Sequence, residues 1–251
     1  MSQIPQLMNG NRLEHDAVSE KGWYSRSPGG DVQIFDDFIG DGALPLDGAT
    51  LGSGSLFVNH DNSAAGAPTL AYRAGANGVY RMELASDAEA ERVATYLGDN
   101  CVVSPTKKPI FEARVAITTA SPNAAETLII GLGSARNNDT NAIANHCLFK
   151  WTGANNNILV ESDDDGTTDT DDKDTGQDWV SGTFYKFKID MSDLSDVKFY
   201  IDDVDVTPTT MNVSGMAAGD LLQPIIELQK ASGNTIPRVD IDYISVVWER
   251  S

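Results

Sequence analysis

The sequence predicts an all-β chain folded as a two-sheet antiparallel sandwich, and three observations carry that reading. Short apolar runs recur at roughly ten-residue spacing, each closed by a cluster of Gly, Asn, Asp or Pro. Inside the runs apolar and polar residues alternate. Val197, Phe199 and Ile201 interleave with Lys198, Tyr200 and Asp202, the period of a strand with one buried face. Helical periodicity is almost absent. Two or three such strands cannot stand alone in water, so a second sheet has to cover them.

Residues 1–30 read as an irregular N-terminal arm, with Ile4, Leu7, Leu13, Trp23 and Tyr24 scattered through polar sequence that ends in Ser25-Arg26-Ser27-Pro28-Gly29-Gly30. Those five are too few for a core of their own but enough to anchor on a partner, so they form the candidate partner-binding set. A disordered tail is the alternative. The sandwich domain occupies residues 31–251. Its first strand covers 32–38, and a Gly-rich loop runs from 41 to 54. Strands follow at 56–58, 69–73 and 79–84, with a loop over 59–68. Ser86 and Glu89 have capping-box spacing, yet strands on both sides favour one helical turn at 87–91 and a strand at 92–97. Residues 109–117 alternate, and 127–132 are apolar on both faces, as in a central strand. Residues 148–151 and 157–160 bracket a hairpin turn. An acidic loop spans 161–178. The hairpin unit 184–189, 197–201 and 204–206 is joined by Asp and Ser turn residues. Strands at 221–229 and 238–248 complete the set, and a change of alternation at Tyr243-Ile244 predicts a bulge.

The chain has 251 residues, 41% of them apolar, enough for one large β core. A net charge of -19 argues against nucleic acid and against anionic membranes, both of which need clustered Lys and Arg. No apolar run approaches the about 20 residues of a membrane span. The N-terminus lacks the basic and apolar regions of a signal peptide, so synthesis in the cytoplasm is expected. Cys101 and Cys147 each adjoin apolar residues and read as small buried hydrophobes. His15, His60 and His146 have no ligand-like spacing. Gly131-Leu132-Gly133 is followed by neither the lysine nor the helix of a phosphate loop.

The order PIFEARV, TLIIGLG, LFKW, acidic loop, GTFYKFKID, VKFYIDDVDV, LLQPIIELQ, VDIDYISVVW resembles the concanavalin A-like jelly roll of lectins, laminin-G-type modules and laminarinase-type glucanases. The resemblance covers about residues 31–251. FYIDDVDV is similar to the recurrent F-Y-(I/V)-D-G-x-x-V hairpin, with Asp203 where glycine is usual. Stretches of this type also occur in virion proteins of tailed phages. The resemblance implies a fold; it implies little about activity.

Laminarinase-type members carry E-x-D-x-x-E on one strand. Here Glu161 and Asp163 have the right spacing, but Gly166 stands in place of the second glutamate, and a polar loop would leave these carboxylates solvated. No enzyme is therefore expected. Residues 161–178 hold nine acidic residues and one lysine. As a calcium loop, Glu161, Asp163, Asp165, Asp169 and Asp172 take positions 1, 3, 5, 9 and 12, with Gly166 at 6, so calcium is the one cofactor suggested. The flanking helices are missing, and a solvated loop tip is the commoner fate of such charge. Tyr72, Trp151 and Trp179 are candidates for stacking on a sugar ring, with core packing the competing role.

The expected function is a non-enzymatic virion protein that decorates or cements a repeating capsid lattice. Its partners would be the major capsid protein and other copies of itself, as a small ring such as a trimer. The alternative is a lectin-like module that recognises a glycan.

Overall fold

The computed structural model describes residues 31–38, 44, 57–63, 66–73, 78–118, 126–166 and 168–250, and the strand backbones at 7–8, 11–15 and 23–26. Its strands are β1 (Leu7–Met8), β2 (Asn11–His15), β3 (Trp23–Arg26), β4 (Val32–Asp36), β5 (Val58–Asn62) and β6 (Thr69–Arg73). Next come β7 (Val79–Glu83), β8 (Glu91–Tyr96), β9 (Ile110–Thr118), β10 (Glu126–Gly133), β11 (Asn145–Thr152) and β12 (Asn157–Asp164). The last are β13 (Asp169–Asp178), β14 (Phe184–Asp190), β15 (Lys198–Ile201), β16 (Val204–Asp205), β17 (Gln223–Lys230) and β18 (Arg238–Trp248).

Two antiparallel sheets make the sandwich. One has the order β13-β12-β11-β10-β17-β8-β5, the other β16-β15-β14-β9-β18-β7-β6, with β4 also paired to β18. β7 takes the first half of one edge of β18 and β4 takes the second. The changeover falls at the register shift between Ile241 and Tyr243, one residue before the position where the alternation predicts a bulge. The core lies between the sheets and is made by the alternate residues of each strand. Phe149 meets Phe187 and Phe199 edge-on at 4.9 and 5.2 Å, and Trp179 stacks on Phe187 at 5.5 Å. Such pairs contribute about 0.5–1.5 kcal/mol beyond their buried area. Cys147 is buried in this core; Cys101 is half-buried, with its Sγ 2.7 Å from the Ser134 carbonyl oxygen; both thiols are free.

Four expectations change. Residues 161–178 are not a loop: β12 continues to Asp164 and β13 returns along it, joined by a short turn. The backbone of a β-rich chain must pair even where its side chains are acidic. Residues 59–62 belong to β5, because the buried Asn59 side chain finds partners in Tyr80 Oη and, at 3.2 Å, the Leu44 carbonyl oxygen. The arm is not wholly irregular, since β1, β2 and β3 form a three-stranded antiparallel sheet. The helical turn expected at 87–91 is a bend leading into β8.

Candidate functional site

Because Leu128, Ile130, Phe149 and Val160 fill the core, their neighbours on β10, β11 and β12 face away from the eight-stranded sheet. That outer face carries its own apolar strip, including Ile129, Leu148 and Ile225, and a group of charges beside it. Leu148 is the register partner of Glu161, and His146 that of Asp163. Glu161 has no exposed surface; its Oε2 accepts a hydrogen bond from Lys150 Nζ at 2.9 Å. The same ammonium reaches Asp172 Oδ1 on β13, also at 2.9 Å. His146 donates from Nδ1 to the Ile143 carbonyl oxygen at 2.8 Å, which leaves Nε2 3.9 Å from Glu161 Oε1. Burial pushes the Glu161 carboxyl above its ordinary range, and Lys150 offsets only part of that. Burial alone would lower Lys150; Glu161 and Asp172 together hold it above its ordinary value.

A second pair sits farther along the same face. Glu227 on β17 accepts from Arg136 at 2.9 Å, with 3% and 11% of the two side chains exposed. Burial raises its carboxyl too, against the pull of Arg136. Two strands, β11 and β10, stand between Glu161 and Glu227, and Glu227 lies two residues along β17 from the partner row of Glu161, which puts their backbones about 16 Å apart at ordinary strand spacing.

The structure distributes the other candidate residues as follows. Glu161 and Asp172 are joined through Lys150. Asp163 and Asp169 are cross-strand partners, and Asp163 accepts from the Asp165 backbone N–H at 2.9 Å at the turn. Spread along two strands, these five carboxylates do not enclose an ion as a calcium loop does. Among the described residues, the one group of three acidic, His or Cys ligand atoms within 4.8 Å of one another is Asp87, Glu89 and Glu91. Trp151 and Trp179 are 2% and 4% exposed and belong to the core, so their rings are not open to a sugar. Tyr72 is half-buried against Tyr80 and Phe38. Leu7, Leu13, Trp23 and Tyr24 lie in β1, β2 and β3; Ile4 lies outside the described residues.

Sequence reasoning passed over His146, Lys150, Arg136 and Glu227. A signal was present in HCLFKW and IIELQ, where Lys150 and Glu227 interrupt apolar strands at positions that alternate with core residues. Asp164 was missed as well. Its buried carboxylate accepts from Thr168 Oγ1 at 2.6 Å and from the backbone N–H groups of Gly166 and Gly215 at 3.2 and 3.0 Å. It thereby ties the β12–β13 turn to the loop before β17. A Cβ at residue 215 would stand 2.5 Å from Asp164 Oδ2, so only glycine lets that loop approach.

No protein-family model and no curated protein sequence matches the chain. Solved structures do. An endo-1,3-β-glucanase from Streptomyces sioyaensis is similar over 90% of this chain and 99% of its own, with a TM-score of 0.56 and 15% identity. A structure described with endo-acting O-glycanases of the human gut microbiota that initiate mucin breakdown is similar over 86% of this chain and 99% of its own, with a TM-score of 0.55 and 11% identity. The carbohydrate recognition domain of Emp47p is similar over 83% of this chain and 95% of its own, with a TM-score of 0.54 and 11% identity. The chain has the concanavalin A-like β-sandwich fold, which hosts both lectins and glycan-cleaving enzymes.

Proposed function

We propose that this chain is a non-enzymatic structural protein of a virus particle, a decoration or cement component that docks on a repeating capsid lattice. The observation that carries this reading is the sheet of β1, β2 and β3, which among the described residues shares no ladder with either sheet of the sandwich and approaches it through β3, beside β4. Three strands of two, five and four residues need cover beyond their approach to β4, and in this reading a neighbouring chain supplies it. In this reading residues 1–30 contact the major capsid protein or a second copy, and the sandwich self-associates, as a trimer around a local symmetry axis. Many copies make even a weak contact per arm sufficient. The outer-face carboxylates support a non-catalytic role, since Glu161 and Glu227 are each held by a cation.

The test compares the full chain with a chain lacking residues 2–30. Sedimentation velocity should give an oligomer for the first and a monomer for the second. Only the first should co-sediment with tailed-phage particles that lack the protein. Equal binding by both forms removes the arm from docking.

One observation favours a lectin as the second reading. The fold is shared with a carbohydrate recognition domain among its solved neighbours. Binding on a glycan array, with no binding to particles, would replace the first reading by this one.

A further inference from the structure

A separate group of buried charges lies at the end of the sandwich where β17 finishes and β8 starts. Lys230 is the last residue of β17 and has no exposed side-chain surface. Its Nζ donates to the carbonyl oxygens of Ala85 and Asp87, the latter at 2.8 Å, and to Glu91 Oε2 at 2.8 Å. Glu91 opens β8, is the register partner of Lys230, and is equally buried. Asp87 and Glu89 lie on the bend just before it, and one carboxylate oxygen from each of the three is within 4.8 Å of the others. Gly66 closes the group from another loop: its N–H donates to Glu89 Oε1 at 2.9 Å, and a Cβ there would stand 1.9 Å from Asp87 Oδ2.

One ammonium thus pairs with two carboxylates, Glu91 at 2.8 Å and Asp87 at 3.4 Å. Lys230 and the Ala85 N–H satisfy Glu91 Oε2. Glu91 Oε1 and Asp87 Oδ2 are buried and meet no hydrogen-bond donor. A buried carboxylate oxygen left without a donor costs about 1–3 kcal/mol or more, so this arrangement asks for a positive centre at those atoms. Calcium takes oxygen ligands at 2.3–2.6 Å, so two ligands of one ion stand at most about 5 Å apart, a span that one carboxylate oxygen from each of the three residues fits. Asp87 and Glu89 are half-exposed, which leaves room for water to complete the shell.

We propose that Asp87, Glu89 and Glu91 form a binding site for a hard divalent cation of the calcium class, with Lys230 as a tethered second cation that holds the bend in shape. The bound ion pins the 86–89 bend to β8 and to the loop of Gly66, a structural role independent of the docking reading. Burial raises the Glu91 carboxyl and Asp87 adds to that, while Lys230 opposes both; a bound cation would favour the charged form further.

The experiment is scanning calorimetry of the full chain in calcium chloride, in magnesium chloride and in EDTA, with titration calorimetry for stoichiometry. Calcium at a hundredfold excess over its Kd should raise the melting temperature by roughly 5–10 °C over EDTA, with one ion per chain. Glu89→Gln, which keeps size and removes charge at a ligand less buried than Glu91, should fold and lose that rise. Asp163→Asn/Asp169→Asn should keep it. Equal melting in calcium and EDTA overturns the site. So does a rise that survives Glu89→Gln, or one that vanishes in the Asp163/Asp169 variant, because the ion would then sit elsewhere. A rise in magnesium as large as in calcium would overturn the assignment to the calcium class.

Discussion

The hairpins β12–β13 and β15–β16 both turn on aspartates held at positive φ. Asp202 and Asp203 sit at φ 50° and 67° between β15 and β16, while Asp165 and Asp172 sit at 53° and 48° in the other hairpin. At β15–β16 the carboxylates stay at the surface: Asp202 Oδ1 accepts from the Lys186 backbone N–H at 2.9 Å, and Asp203 meets the Lys186 ammonium at 2.6 Å. At β12–β13 two carboxylates turn inward, Glu161 to Lys150 and Asp164 to the backbone of another loop. A surface turn can lose its charges with little consequence. A hairpin whose carboxylates are buried depends on each partner staying in place.

The largest effect should come from breaking the inward side. Glu161→Ala removes the buried partner of Lys150 and is expected to cost about 3–5 kcal/mol in urea denaturation. A loss under about 1 kcal/mol would mean that the Lys150 clasp contributes no more than a surface pair, and the contrast between the hairpins would collapse.

Next comes Asp164→Asn, which keeps the shape but weakens a set of charge-assisted bonds, at about 1–3 kcal/mol. Its pH behaviour separates it from Glu161. Burial pushes the Asp164 carboxyl up, but the bonds from Thr168, Gly215 and Gly166 outweigh it and hold the group below its ordinary 3.8. The stability it contributes is therefore full above 3.8 and is lost as pH falls through the lower folded value. Glu161 has the opposite sign, being raised above its ordinary 4.5, so its contribution is full below that value and declines as pH rises through the folded one. Denaturation from pH 2 to 7 should show Asp164→Asn flattening the acid limb and Glu161→Gln flattening the decline above it. Parallel curves for both variants would refute the opposite signs.

The smallest effect belongs to the outward side. Asp203→Gly relieves an aspartate held in the left-handed region at φ 67° and should raise stability by about 0.5 kcal/mol. A loss of stability would mean that the Asp203–Lys186 pair outweighs the backbone gain.

These hairpins also show what could be read from the chain. β14 and β15 were legible because Phe187, Ile189, Phe199 and Ile201 alternate with charged or aromatic neighbours, and burial follows the same period. β13 was not, because none of its ten residues is fully buried and an acidic strand lacks the apolar alternation by which strands are recognised. Its place is set by main-chain bonds to β12, which composition does not record. The bulge near Tyr243 was visible as a break in alternation, since two core registers meet there. The site residues fared worse. Trp151 looked available for a sugar, but its alternation with Phe149 and Cys147 already placed it inside. Glu161 looked solvated because it was assigned to a loop, and its burial depends on Lys150, eleven residues away across a strand pair. Lys230 and Glu91 meet only through the pairing of β17 with β8, a contact between distant segments.

The two free thiols give the fold a built-in clock. Cys147 is wholly enclosed and its thiol is raised far above the ordinary range by burial, so a thiol-modifying reagent reaches it only when the sandwich opens as a whole. Cys101 is half-buried beside Ser134, its thiol pushed up to about 11 by burial and then by Asp99, and partial opening of that loop exposes it. The reaction rate at Cys101 therefore reads local breathing, and the rate at Cys147 reads global unfolding in the same molecule and the same tube.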